Sequence, residues 1–176
     1  MYSSPLGVKH TAYPFPSGIN LGDPAQVEKF ISALESSAHA LADAGIVLSY
    51  HNHAHEFHRL CGGKTILERI YDGTSLLQAE LDTFWIARGG QDPVAWIHRV
   101  AGRMDVIHYK DYAVTPEGGS YETVIGEGNL DWKAITAACD ATDVKWFAIE
   151  QDDVHDGTEP FDCLNRSFRF ISETLC

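Results

Sequence analysis

Basic charge is scarce in this chain of 176 residues: 13 Lys and Arg stand against 25 Asp and Glu, for a formal net charge of −12. A nucleic-acid binder draws much of its affinity from clustered cations on phosphates, so no nucleic-acid partner is expected. Long apolar runs are missing too. None approaches the roughly 20 residues that span a bilayer, and the N-terminus lacks the basic-then-apolar layout of a secretory leader. No membrane partner is expected, and the chain reads as cytoplasmic. Cysteine is sparse and scattered. Cys61, Cys139, Cys163 and Cys176 form no C-x-x-C pair, which fits reduced thiols better than a disulfide framework or a zinc knuckle. With no linker, low-complexity tract or internal repeat, residues 1–176 are expected to form a single domain with one core.

What the chain does have is a recurring strand that ends in charge. The apolar run Ile46-Val47-Leu48 leads through Ser49 and Tyr50 into His51-Asn52-His53-Ala54-His55-Glu56. Leu76 to Asp82 ends in an acid, Met104 to Asp111 in His108, Lys110 and Asp111, and Lys145 to Asp152 in Glu150 and Asp152. A fifth strand is expected over Leu6 to Tyr13. Helices separate the strands. Asp23-Pro24 caps one that runs to about Ala44, with Val27, Phe30, Ile31, Leu34, Ala38 and Leu41 on one stripe. Others follow Gly62-Gly63, Asp82, Asp92-Pro93 and Asp131, and the last runs from Phe161 to Leu175. Ala113 to Leu130 reads as a long glycine-rich loop over the charged strand ends.

Strands alternating with helices predict parallel βαβ units, whose right-handed crossovers bring every strand's C-terminal end to one side. An α/β fold follows, either an incomplete (β/α) barrel or an open parallel sheet, because a full barrel takes about 250 residues and eight strands. Glu56, Asp82, His108 and Glu150 are the candidate metal ligands. Asp82 follows Glu56 by 26 residues, His108 follows Asp82 by the same interval, and Glu150 comes 42 later, after the glycine-rich stretch. A donor set rich in oxygen with one imidazole suits Mn²⁺, Mg²⁺ or Co²⁺ ahead of Zn²⁺. Glu56 and Glu150 fit as the carboxylates that exchange a proton at a carbon next to a carbonyl while the metal stabilises an enediolate. The competing arrangement is a zinc H-x-H built from His51, His53 and His55, which alternate on one face if the strand continues that far. Trp96, Trp132 and Trp146 are assigned to the core, and Arg103 to a structural role at the strand starts.

The ordered set of Tyr50 to Phe57, Glu80-Leu81-Asp82-Thr83-Phe84-Trp85, Gly89-Gly90-Gln91-Asp92-Pro93, His108-Tyr109-Lys110-Asp111, Gly126 to Trp132 and Ile149-Glu150-Gln151-Asp152 resembles the sugar phosphate isomerase/epimerase family. These are xylose-isomerase-like TIM barrels. The resemblance covers nearly all of this chain but only the C-terminal three-fifths of a usual member, whose first strands have no counterpart here. It implies an incomplete barrel of about five parallel strands and a divalent metal, Mn²⁺ first, on Glu56, Asp82, His108 and Glu150. It implies Glu56 and Glu150 as the acid/base pair, and His53, Trp85 and Lys110 facing a small polyhydroxy carbonyl substrate. The expected activity is isomerisation or epimerisation of a sugar or sugar phosphate. A keto-polyol dehydratase on the same metal site is the alternative, as is a non-catalytic partial-barrel subunit. A half-barrel also implies an oligomer or a partner chain over its open edge.

Overall fold

A computed structural model describes residues 7–61, 63–154 and 158–175. Leu6 of the expected first strand, Gly62 of the expected turn, His155 and Cys176 lie outside them. Five parallel strands, β1 (His10–Tyr13), β2 (Val47–His51), β3 (Gln78–Asp82), β4 (Val106–Tyr109) and β7 (Trp146–Ile149), form a sheet in that spatial order, curled into a half-barrel. The crossovers are helical: α1 (Pro24–Asp43), α2 (Ile66–Asp72), α3 (Thr83–Arg88), α4 (Pro93–Arg99) and α5 (Trp132–Ala141), with α6 (Pro160–Thr174) after the last strand.

The helix starts follow from local chemistry. Asp23 Oδ1 accepts from the backbone N–H groups of Ala25 and Gln26, and Pro24 opens α1. Thr65 and Glu68 form a reciprocal capping box at α2, while Asp92 with Pro93 and Asp131 cap α4 and α5. In α1 the apolar stripe Val27, Phe30, Ile31, Leu34 and Ala38 is buried against the sheet, and Gly45, at φ +74°, turns the chain into β2. The core then joins Leu48, Tyr50, Ile66, Leu67, Ile70, Leu77, Leu81, Ile97 and Ile107 in one cluster. Arg103 closes the strand starts as expected, donating to the carbonyls of Tyr71 and Leu77 and to Thr74 Oγ1.

Register decides which side chains share the barrel face. Glu80 pairs with His51 across β2 and β3, and His108 pairs with Asp82 across β3 and β4. Ala148 pairs with His108, and Glu150 is two residues further. Side chains alternate along a strand and paired residues point the same way, so His51, Glu80, Asp82, His108 and Glu150 lie on one face at one end.

Two expectations need correction. The stretch after β4 is not an irregular loop: β5 (Asp111–Val114) and β6 (Ser120–Thr123) make an antiparallel hairpin turned at Pro116 to Gly119. Each arm is only four residues, too short for alternation to register in the text. A single carboxylate ties down the segment between β6 and α5. Asp111, fully buried, accepts from the N–H groups of Tyr112, Gly126, Gly128 and Leu130 and from Trp132 Nε1. A Cβ at Gly128 would collide with it, which explains the glycine there. Trp146, assigned to the core, is 65 % exposed because β7 ends the sheet and nothing described covers its outer side. Phe147 beside it and Phe161 and Phe168 on α6 are exposed as well. Among the described residues, no helix is long and apolar enough to cross a membrane.

Candidate metal centre

Four side chains from four strands, or just beyond them, converge: His51, Asp82, His108 and Glu150 each offer a ligand atom within 4.8 Å of the others. Three of the expected ligands are therefore brought together, and the fourth member of the group is His51 in place of the expected Glu56. Glu56 lies in a separate group with His53 and His55. The cause is where β2 stops. Its last residue is His51, and the chain then coils into a 3-10 turn over His55–Phe57, so the alternation expected of His51, His53 and His55 does not continue.

Asp82 does two jobs with two oxygens. Its Oδ1 accepts the Trp85 N–H at 2.9 Å as the cap of α3, leaving Oδ2 buried without a hydrogen bond. Lys110 Nζ stands 3.3 Å from that oxygen, outside hydrogen-bonding direction. Lys110 itself is almost wholly buried, and its ammonium also reaches Asp152 Oδ2 at 2.7 Å and Glu150 Oε2 at 3.1 Å. His108 is held from both sides, its Nδ1 2.5 Å from Glu150 Oε2 and its Nε2 3.1 Å from Glu80 Oε1.

The environment of each group sets its charge. Burial pushes the Asp82 carboxyl up to about 6, against the pull of Lys110. Burial also opposes charge on His108, but its hydrogen bonds to Glu150 and Glu80 raise it to about 9. Glu150 overcomes burial through His108 and Lys110 and drops to about 2. Lys110 is likewise raised, despite burial, chiefly by Asp82, Asp152 and Glu150. Burial and the neighbouring His108 lower His51 to about 3, so its ring is neutral and its Nδ1 has no partner. Five acidic side chains (Glu80, Asp82, Glu122, Glu150 and Asp152) gather around the Lys110 ammonium and His108. A buried carboxylate oxygen and a buried neutral imidazole nitrogen, both lacking partners within an acidic surplus, fit a divalent cation.

Beside the cluster lies a cavity of about 350 Å³ lined by Phe84, Trp85, Arg88, the hairpin residues Ser120 to Glu122, and Asp152 with Asp153. Of the residues expected to face substrate, Trp85 lines this cavity, and Lys110 Nζ lies 5.8 Å from the Trp85 ring centroid. His53 stands between the groups, its ring 5.1 Å from both His51 and Trp85. Glu122 is a site residue that sequence reasoning misses. It is buried on β6, accepts the Asp152 N–H at 2.9 Å, and is pushed up by burial to about 7. No signal in the text marks it, because the hairpin that carries it has arms too short to show a period. Glu80 did carry a signal, two residues before Asp82 and so on the same strand face, and the register sets His51 opposite it.

The family described as xylose isomerase-like TIM barrel matches residues 2–173. Among solved structures, a sugar phosphate isomerase/epimerase from Parabacteroides distasonis superposes with TM-score 0.81 at 23 % identity, over 97 % of this chain and 59 % of its own. A xylose isomerase domain protein from Planctomyces limnophilus superposes at 0.72 with 15 % identity, over 96 % of this chain and 58 % of its own. At these identities the likeness is one of fold. A curated relative, the inosose dehydratase of Geobacillus kaustophilus, is 27 % identical over 140 residues, which is 71 % of this chain and 45 % of the relative. The chain spans about three-fifths of the length of the solved relatives and less than half of the curated one.

Proposed function

The chain belongs to the xylose isomerase-like TIM barrel family, and from that premise we propose that it is a divalent-metal-dependent isomerase or epimerase of a small polyhydroxy carbonyl compound. The observation that carries this reading is the convergence of His51, Asp82, His108 and Glu150 at the C-terminal strand ends, where barrels of this type build their active sites. A cation held by these four residues would supply Lewis-acid stabilisation of negative charge on the substrate's oxygens. Two imidazoles and two carboxylates form a mixed set, so Mn²⁺ is our assignment and Co²⁺ the next, with Mg²⁺ disfavoured by the nitrogen content.

Glu150 is the group we assign to proton transfer next to the carbonyl. It is deprotonated at neutral pH, partly open to the site, and close to Lys110. The Lys110 ammonium donates to a substrate oxygen, and Trp85 offers an apolar wall to the C–H face of the sugar. Glu56 is withdrawn from the acid/base pair in this reading. It is fully buried, and both its oxygens accept hydrogen bonds, from Tyr50 OH and the His53 N–H.

The inosose dehydratase relative favours one second reading, loss of water from a keto-polyol on the same residues. Whichever reaction holds, we infer that a further polypeptide segment or chain covers the open edges at β1 and β7, supported by exposed Trp146 and Phe147 and by a sheet that, among the described residues, has five parallel strands against the eight of a closed barrel. The unpaired thiols of Cys61, Cys139 and Cys163 support a cytoplasmic setting.

Incubation of the Mn²⁺-loaded protein with a panel of ketoses and cyclic keto-polyols in deuterated water tests the function. Deuterium entering next to the carbonyl, abolished by Glu150→Gln, is expected. Exchange accompanied by an enone product selects the dehydratase. Metal binding without exchange on any panel member refutes the catalytic reading and leaves a binding subunit.

A further inference from the structure

Immediately beside the first cluster, the turn after β2 gathers a second set of donors that the proposed reaction does not use. One atom each from His53, His55 and Glu56 lie within 4.8 Å of one another. The His53 and His55 rings stack at 5.5 Å with planes only 6° apart. His53 Nδ1 and His55 Nε2 are both buried and lack a hydrogen-bond partner. His55 Nε2 stands 3.2 Å from Glu56 Oε1 yet is misaligned for a hydrogen bond. A ring nitrogen and a carboxylate oxygen that close, but not aimed at each other, are free to aim at a common third point.

That spacing has a familiar magnitude. Two ligand atoms each about 2.0–2.1 Å from a tetrahedral Zn²⁺ stand about 3.3 Å apart. Glu56 is also held as ligating carboxylates are, by outer hydrogen bonds that fix its orientation: Tyr50 OH donates to Oε1 at 2.7 Å and the His53 N–H to Oε2 at 2.8 Å. Each oxygen keeps a lone pair after accepting one bond. Phe15, from the loop after β1, closes the outer side edge-on, 5.7 Å from the His53 ring and 5.1 Å from that of His55. The His55 side chain remains 37 % exposed, which leaves a route for an ion from solvent.

We propose that His53, His55 and Glu56 form a second metal site for a borderline-soft divalent cation, Zn²⁺ first, adjoining the His51 cluster. Two imidazoles and one carboxylate with an open fourth position form the donor set of open, catalytic-type Zn²⁺ sites. Glu56 and His53 thereby become ligands of a cation other than the one held by Asp82. The proposal stands independently of the isomerase reading, since it uses none of the residues assigned to the first site.

Zinc stoichiometry decides it. The metal-stripped protein is dialysed against buffered Zn²⁺ and its metal content measured by mass spectrometry. Two tight equivalents are expected, falling to one in His55→Ala, to one in Asp82→Asn and to none in the double variant. Glu56→Gln is the second probe, expected like His55→Ala to retain one equivalent, and in the Co²⁺-substituted protein both variants should lose part of the visible absorption while keeping the remainder. A single equivalent lost only in Asp82→Asn overturns the second site and leaves the first standing. A single equivalent lost only in His55→Ala upholds the second site and overturns the first. A single equivalent lost in either variant means one ion spanning both groups, which also overturns the proposal, as do two equivalents retained in His55→Ala.

Discussion

Replacing Asp111 by Asn should unlock the wall of the cavity while leaving the proposed ligands in place. The native carboxylate takes five N–H donors, three on Oδ2 (Gly126, Gly128 and Trp132 Nε1) and two on Oδ1 (Tyr112 and Leu130). An amide cannot satisfy them in either orientation, because its NH₂ must meet N–H groups. The less harmful orientation turns the NH₂ toward Tyr112 and Leu130, which orphans one short bond of 2.7 Å and one marginal bond of 3.4 Å. An orphaned buried donor costs about 1–3 kcal/mol, and the three surviving bonds lose the charge that made them strong, about 1 kcal/mol each. Counting the orphaned Tyr112 donor and the three weakened bonds, the total is about 4–6 kcal/mol, or roughly 15 °C in Tm for a chain of this size. Urea unfolding followed by tryptophan fluorescence measures it, with Trp132 in direct contact. Mn²⁺ titration of the folded variant should match wild type, because the ligands stand on strands that Asp111 does not hold. A loss below about 1 kcal/mol would refute this account of the hairpin's anchorage.

Asp82→Asn should weaken Mn²⁺ binding by more than the roughly 10–100-fold typical of an outer partner, since Oδ2 is itself a proposed ligand atom. Calorimetric titration giving an unchanged affinity would remove Asp82 from the site. Lys110→Met should destabilise the metal-free protein by about 3 kcal/mol, because Asp82 and Glu150 lose their buried counter-charge. Thermal melts should show Mn²⁺ restoring most of that loss, and no restoration would argue against a cation held by Asp82 and Glu150. Glu35 tests pH dependence away from the site. Burial opposes its charge, but hydrogen bonds from Ser75, Leu76 and Leu77 lower it from 4.5 to about 2. A depressed carboxylate stabilises the fold above its unfolded value and loses that contribution as pH falls through the folded one. Glu35→Gln should therefore cost about 2 kcal/mol at pH 7, discounted for partial exposure. In denaturant titrations the gap to wild type should close between about pH 4.5 and pH 2, and a gap independent of pH would sink the assignment.

The parallel sheet was legible because each strand is an apolar run that ends abruptly in charge, and because Asp23, Asp92 and Asp131 announce their helices. Asp82, His108 and Glu150 were legible for the same reason, as the first acids or imidazole beyond those runs. Glu56 is the residue that an equal interval of 26 selects. Interval counting assumes the chain keeps advancing at one pitch, and the 3-10 turn after His51 breaks that assumption. The register points instead to His51, which ends β2 and pairs with Glu80, two before Asp82. The hairpin was hidden by arms of four residues, and the purpose of Gly128 by a carboxylate 17 positions away. Trp146 misled because hydrophobicity says that a side chain prefers cover, whereas only topology says whether a neighbour exists.

The dependence of the site on strand parity reaches beyond binding. Slipping β3 by one position would turn Glu80 and Asp82 outward together and bring Ala79 and Leu81 into the mouth. A single-residue insertion or deletion within β2, β3, β4 or β7 would therefore erase the chemistry even where the fold survived it. Length changes can be absorbed only in the connections, and the segment between β4 and α5, which already carries a hairpin, is where new selectivity could be grafted without disturbing the frame that the ligands share.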